Sequence, residues 1–209
     1  MITLLSVNIG RAAPINSKSG FSAIDKRPQP GPVSVGPLGL AGDECVDAKH
    51  HGGTEQAVYI YFASDYDWWM EELGQPLDPG TLGENLTVSG LASADVHIGD
   101  RFEIGGVMLE VTSPRIPCET LAARMGDKMF VRRFMRARRP GCYCRVLAGG
   151  EIAAGENVVH HPVAGHRMHL LDLFDGSEPD RDEIERRLTL PLHAKTRADY
   201  LERLGQSSD

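Results

Sequence analysis

The sequence predicts a mainly β protein: a closed β-barrel with a few short helices and a small C-terminal helical extension. Three observations carry this. From residue 1 to about 162, apolar residues come in short alternating runs broken by glycine pairs and Gly-Asp steps, the mark of many short strands joined by tight turns. Closing such a set of strands into a barrel removes their exposed edges. After Pro162 the texture changes to leucines at helical spacing. A chain of 209 residues, 41 % hydrophobic and 24 % charged, has material for one full core plus an appendage. The expected division is 1–162 for the barrel and 163–209 for the extension, which has too few apolar residues to stand alone and must pack on the barrel or on a partner chain.

The elements follow in order. "ITLLSVNIG" is a first strand and "AVYIYF" another. Ser64 offers an N-cap, with Asp67 three residues on, for a helix over "DYDWWMEELG" that Gly74 ends, and Trp68 and Trp69 are packing residues on it. "RFEIGGVMLEV" is a hairpin: Phe102 and Ile104 alternate before Gly105-Gly106, Val107, Leu109 and Val111 alternate after it, and two glycines suit the positive φ angles of a primed turn. Its second strand runs straight into "SPRIPC". "CYCRVL" passes through "AGG" into "EIAAGENVVHH", again hairpin-like. The tail, with turn signals at Asp175-Gly176 and Pro191, holds two or three helices.

Charge and cysteine usage narrow the function classes. A formal net charge of −7 argues against non-specific attraction to nucleic acid or to an anionic membrane. The opening "MITLLSVNIG" has no basic stretch before a short apolar run, so neither a signal peptide nor a spanning helix is expected and the location reads as cytoplasmic. Four cysteines, two of them one residue apart in "GCYCRVL", do not form a secreted disulfide framework.

Each thiol is then either core filler or chemistry. Cys118 follows Pro117, which pins its own φ and biases Ile116 to extended backbone, while "ETLAARMG" forms a short helix stopped by Gly126. The thiol therefore sits at a helix N-terminus with Arg115 nearby, and both favour thiolate, the form that attacks electrophiles or binds a soft metal. The competing reading is a buried small hydrophobe. In "DAKHHGGTEQAVYIY", His50 and His51 point to opposite sides of an extended chain, and Gly52-Gly53 either lets backbone amides approach a ligand or makes a tight turn. Glu84 and Asn85 stand at a strand entrance, where they contact a bound heterocycle or shape a turn. His160-His161 with Cys142 and Cys144 matches no common structural zinc spacing. Residues 124–139 carry six arginines and one lysine against one aspartate. With Met125, Met129, Phe130 and Phe134 at helical spacing they read as a basic amphipathic helix, a solvated face or a docking patch for an acidic protein.

The ordered motifs "AIDKRP", "GLAGDECVDAKHHGGTEQAVYIY", "LGENLTV", "IGDRFEIGGVMLEVTSPRIPCETLAARMGD" and "GCYCRVLAGGEIAAGE" resemble the MOSC family, the domain named for the C-terminal part of molybdenum-cofactor sulfurase, and its stand-alone YiiM-type bacterial branch. The resemblance covers roughly residues 1–162. It implies a MOSC β-barrel holding a molybdenum cofactor (molybdopterin-bound molybdenum), with Cys118 as the metal ligand. It makes Lys26 and Arg115 candidates for the pterin phosphate, with His51, Gly52 and Gly53 beside the cofactor. Asn85, Tyr143 and Arg145 are implied as further polar contacts, and Glu84 as a catalytic residue on the substrate side. Pyridoxal phosphate is not expected.

For this branch the resemblance implies reduction of N-hydroxylated compounds, such as hydroxylaminopurine bases, to amines. No dinucleotide fingerprint or ferredoxin motif is present in the sequence, so electrons are expected from a separate flavin or iron-sulfur reductase. A homodimer is compatible with this reading. Cys142 stands where related sequences carry an aromatic residue, which implies an altered pocket wall. Two other classes stay open: a sulfur carrier or sulfur-transfer protein using a Cys118 persulfide, and a cofactor-binding or storage module without turnover.

Overall fold

The computed structural model describes residues 1–47 and 51–206; His50, read above beside His51, lies outside them. Thirteen short strands and six α-helices make up the described chain. The main sheet contains eight strands: β1 (Thr3–Gly10), β4 (Lys26–Pro28), β7 (Val58–Phe62), β8 (Leu86–Ser89), β9 (Arg101–Ile104), β10 (Val107–Pro114), β11 (Cys142–Ala148) and β13 (Val158–His161). They are ordered β13-β9-β10-β11-β7-β8-β1-β4, antiparallel except for the parallel pair β7–β8. Two small ribbons flank it. One joins β2 (Ala13–Pro14) and β3 (Phe21–Ser22), the other β5 (Val33–Gly36), β6 (Gly39–Leu40) and β12 (Gly150–Ile152).

The mainly β architecture is as expected, and its continuous ladder of paired strands runs from β13 to β4. The outer edge of β1 is divided: Asn8–Gly10 pairs with β4, leaving only the first residues to face the approach to β13. There the ends meet through one bridge, Thr3 to Asn157, and three backbone hydrogen bonds. Leu4 donates to Glu156 (2.9 Å), Val158 to Ile2 (3.0 Å) and Gly155 to Leu4 (2.7 Å).

Strand alternation builds two cores on opposite faces of the same strands. Val58, Ile60 and Phe62 of β7, with Cys142 and Cys144 of β11, belong to the inner core. Tyr59, Tyr61 and Tyr143 point to the other side, into an aromatic cluster with Trp69, Phe130 and Phe134. Cys142 and Cys144 are fully buried, and burial pushes the Cys142 thiol well up. Cys142 therefore fills the inner core and forms no part of a pocket wall, contrary to the expectation drawn from its motif position.

The Gly105-Gly106 hairpin forms with both glycines at positive φ (55° and 87°). The second expected hairpin does not. Strand β11 is already bonded to β10 on one side and β7 on the other, so the chain leaving it finds other edges: β12 joins β5, and β13 joins β9. Helix α1 (Ala63–Leu73) begins one residue earlier than its expected cap. Ser64 lies inside the first turn, its hydroxyl donating to Leu91 C=O at 2.8 Å, while Gly74 closes the helix in the left-handed conformation as expected.

The basic stretch is two helices, α2 (Glu119–Arg124) and α3 (Phe130–Ala137), separated at Gly126. The tail contributes α4 (Leu170–Phe174), α5 (Arg181–Arg187) and α6 (Ala194–Gln206). It packs on its own chain: Leu170, Ile184, Leu190, Leu192 and Tyr200 are buried in the inner core. No helix among the described residues is long and apolar enough to cross a membrane.

Candidate functional site

Strand register places the site on the aromatic face. Tyr143 pairs with Tyr59 on one side and Ser113 on the other, so the two tyrosine rings lie 5.1 Å apart and the chain leaving β10 passes beside them. Arg115, the first residue beyond that strand, is 3 % exposed and lies over the Tyr59 ring at 5.4 Å. Three residues later Cys118 adopts extended backbone (φ −129°, ψ 171°) and α2 begins. Lys26, His51, Gly52, Gly53, Asn85, Arg115, Cys118 and Tyr143, eight of the ten residues singled out above, line one cavity of about 380 Å³.

The Cys118 thiol is acidic. Burial works against the thiolate, but a hydrogen bond from the His51 side chain, the Arg115 guanidinium and the Leu121 backbone N–H outweigh it and bring the pKa down to about 6. His51 also reaches the Tyr143 hydroxyl through Nδ1 at 3.3 Å, linking thiol and phenol. Burial outweighs the pull of Arg115 on Tyr143, and with Cys118 adding to it the phenol is pushed up to about 12, so it keeps its proton. Arg115 stays charged: desolvation opposes the charge, and the facing Tyr143, Tyr59 and Cys118 favour it. Its Nη1 is buried without a hydrogen-bond partner among the described residues. A cation this deeply buried, with an unused donor facing the cavity wall residues, has the chemistry to receive an anion.

The MOSC domain family model matches residues 47–159, more than half of the chain. The chain belongs to the MOSC family. Among curated relatives, the uncharacterized protein YflK of Bacillus subtilis is 36 % identical over 158 residues, covering 75 % of this chain and 72 % of that protein. Protein YiiM of Escherichia coli is 31 % identical over 64 % of this chain and 61 % of its own length. A protein named "Reductase" from Gibberella moniliformis is 39 % identical over 66 % of this chain, which spans only 25 % of that protein's length. The crystal structure of YiiM from Geobacillus stearothermophilus superposes with a TM-score of 0.79 at 26 % identity, over 98 % of this chain and 100 % of that one. The chain is therefore a MOSC protein of the YiiM type.

Within this MOSC site the expected cation Lys26 is not free. Its ammonium is clamped by both carboxylate oxygens of Asp43, which also accepts from Gly10 N–H (2.7 Å) and Asn85 Nδ2 (2.8 Å). Asn85 spends its carbonyl on Tyr59 N–H (3.0 Å), so it latches β8 to β7. Arg115 is thus the cavity cation with a hydrogen-bond donor left over among the described residues. Asp43 and the exposed Cys45, whose Sγ lies 3.4 Å from His51 C=O, line the same cavity and were not singled out from the sequence. The available signal was Gly42, whose positive φ (84°) turns "GDEC" toward Lys26.

Two expected MOSC site residues lie elsewhere. Glu84 is fully buried, accepting from Tyr66 Oη (2.8 and 2.9 Å), Gly80 N–H (2.6 Å) and Thr87 Oγ1 (2.8 Å); burial raises its pKa against these bonds. With its acceptors committed and no face on the cavity, it organises the turn before β8 rather than meeting substrate. Arg145, two residues beyond Tyr143 on β11, does not line the cavity: it pairs with Glu55 (3.1 Å) and donates to the Pro191 (2.9 Å) and Leu192 (3.3 Å) carbonyls. It fastens the tail to the sheet. His160 and His161 pair with Asp100 and Glu103, and no cluster of metal-binding type occurs among the described residues.

The basic stretch is largely neutralised within the chain. Arg124 pairs with Asp25, Arg133 with Asp127 and Glu72, Arg138 with Asp175, and Arg139 with the buried Asp65. Lys128, Arg132 and Arg136 remain exposed.

The acidity of Cys118 yields a direct expectation. In metal-free protein, its alkylation by iodoacetamide should be fast above about pH 6 and should fall as pH drops through that value, because a depressed pKa means the thiolate persists down to it. Mass-spectrometric mapping of the labelled peptide separates it from Cys45, which burial shifts upward. A Cys118 rate that keeps climbing toward pH 9 would contradict the geometry.

Proposed function

We propose that this protein is a molybdenum-cofactor-dependent reductase of N-hydroxylated compounds, such as hydroxylaminopurine bases, to the corresponding amines. The observation that carries the reading is a buried, unpartnered guanidinium nitrogen beside an acidic thiol in one cavity. The residues present fit the group. Cys118 supplies a soft anionic ligand suited to molybdenum, and Arg115 Nη1 supplies the donor a buried phosphate needs. Gly53 holds φ +89°, and a Cβ built there meets nothing within 4 Å, so the backbone wall beside the thiol is open to a flat ligand.

When bound, the cofactor supplies the two electrons that cleave the N–O bond, oxygen leaving as water as two protons are taken up. The chain's own residues do the rest. Cys118 would hold the metal as a thiolate. Tyr143 keeps its proton on Oη and donates to an oxygen in the cavity, while His51 Nδ1, 3.3 Å away, orients that hydroxyl. Lys26 and Asp43, paired to each other, form a rigid wall without net charge. Electrons come from a separate flavin or iron-sulfur reductase, for which the exposed Lys128, Arg132 and Arg136 are the available cationic contacts.

A second reading, a sulfur carrier with a Cys118 persulfide, draws on the same acidic thiol. Metal analysis separates them. Protein produced in a host that makes molybdenum cofactor should retain near-stoichiometric molybdenum, and Cys118→Ser should lose most of it. Metal-free wild-type protein bearing cyanide-labile sulfur on Cys118 would overturn the reductase in favour of the carrier. Bound molybdenum with no reduction of N-hydroxy compounds by any donor would favour storage.

A further inference from the structure

His51 is tied on one side and loose on the other. Its own N–H donates to the Asp47 carbonyl at 2.9 Å, but the chain leaves it through Gly52 and Gly53, the second at φ +89° with nothing within 4 Å of where a Cβ would lie. Two glycines allow so wide a range of backbone angles that they cannot by themselves fix the side chain beside them. What keeps His51 between the Cys118 thiol and the Tyr143 hydroxyl must also act from beyond them.

Two residues past the glycines comes Glu55, in a single 3-10 turn (Thr54–Gln56). It does not line the cavity, whereas His51, Gly52, Gly53 and Gln56 do. Glu55 is gripped from three directions. Its carbonyl accepts the Thr112 hydroxyl of β10 at 2.6 Å. Its carboxylate accepts from Arg145 of β11 at 3.1 Å and from the Ala194 N–H at 2.7 Å. Ala194 is the first residue of α6, so this N–H is one that the helix itself leaves without an acceptor. The His193 ring stands 3.9 Å from the same carboxylate, and the Pro191 and Leu192 carbonyls share the Arg145 guanidinium with it. The tail contributes no residue to the cavity wall among those described, yet it holds the segment that carries the cavity's histidine.

We infer that Glu55 is a positioning residue through which α6 holds His51 against Cys118 and Tyr143, which makes the C-terminal tail a working part of the site. The inference concerns the placing of His51 and not the reaction performed there, so it can fail while the reductase reading stands, and the reverse. Removing either the carboxylate or the Ala194 N–H frees the turn, and the two glycines then let His51 swing away from the thiol. The sign of the effect separates this from direct electrostatics. Deleting a negative charge favours a nearby thiolate, whereas losing the hydrogen bond from His51 disfavours it.

The test follows the half-point of Cys118 alkylation by iodoacetamide in metal-free protein, mapped by mass spectrometry. Ala194→Pro removes the N–H without altering charge, at the first helical position where proline is well tolerated, and its ring displaces the carboxylate. The half-point should move up by at least roughly half of the shift seen in His51→Ala, and the double variant should shift no further than His51→Ala alone. Glu55→Ala should move it upward as well, and Glu55→Gln, which keeps an acceptor for the Ala194 N–H, should restore most of the wild-type value. An unmoved or lowered half-point in either folded variant, Ala194→Pro or Glu55→Ala, overturns the inference. A shift that adds in full to that of His51→Ala also overturns it, because the turn would then reach the thiol by another route. If Ala194→Pro loses its near-ultraviolet circular dichroism, the two Glu55 variants decide alone, and equal shifts for alanine and glutamine overturn the part given to the tail.

Discussion

Arg115→Met should separate function from stability. In metal-free protein the unfolding free energy from urea titration is expected to stay level or rise, by 0 to about 2 kcal/mol, because an incompletely paired buried cation is replaced by an apolar chain of similar length. The same substitution should move the half-point of Cys118 alkylation up by about one pH unit or more, since a guanidinium that lowers the thiol pKa is gone while the burial that raises it remains. Molybdenum retained on purification should fall at least about tenfold, for want of the Nη1 donor that the chain leaves unpaired. Opposite signs in the two sets of measurements are the signature of a binding group held at the expense of the fold. A steep drop in the urea midpoint with an unmoved thiol would instead make Arg115 a structural cation, stacked on Tyr59 and nothing more.

A large loss of stability is expected at Gly141. Gly141 and Gly126 share φ +64°, so alanine at either position carries the same left-handed strain, about 1 kcal/mol. Their surroundings differ. A Cβ at Gly126 meets nothing within 4 Å, whereas one at Gly141 would lie 2.5 Å from the Ile60 carbonyl oxygen and 2.7 and 2.9 Å from the Tyr61 and Tyr59 rings. Relief requires moving β7 or the aromatic cluster, and Gly141 N–H would be pulled from the Ser93 hydroxyl it now meets at 2.8 Å. Urea denaturation should therefore show Gly141→Ala costing roughly 3 kcal/mol more than Gly126→Ala. Equal costs would show that the strand edge yields freely at this point.

What could be read from the sequence was local. Pro117 and the helix-forming run after Cys118 place that thiol at an N-cap without reference to anything distant, and Gly105-Gly106 declares its own turn. What could not be read depends on partners far along the chain. Lys26 meets Asp43 only because Gly42 turns the intervening segment back on β4, and Arg145 finds the Pro191 carbonyl across 46 positions. Alternation shows that Cys142 and Tyr143 face opposite ways, but the face turned to the inner core is settled by packing, and β10 shifts register against β11 between Val111 and Ser113. The fate of β12 and β13 was hidden for a related reason. Local pattern shows that a segment is a strand, and available edges decide which strand it joins.

The meeting of the sheet's two ends bears on how the chain folds. The hairpin β9–β10 and the adjoining pairs form between near neighbours, whereas Leu4 and Glu156 lie about 150 positions apart, and closing so long a loop is costly in entropy. Held by one bridge, three backbone hydrogen bonds and the burial of Leu4 and Val158, this contact is expected late in folding, after the rest of the sheet has brought its ends within reach. It is also where unfolding should begin, so the rate-determining event in the loss of the native state need not disturb the cavity at all.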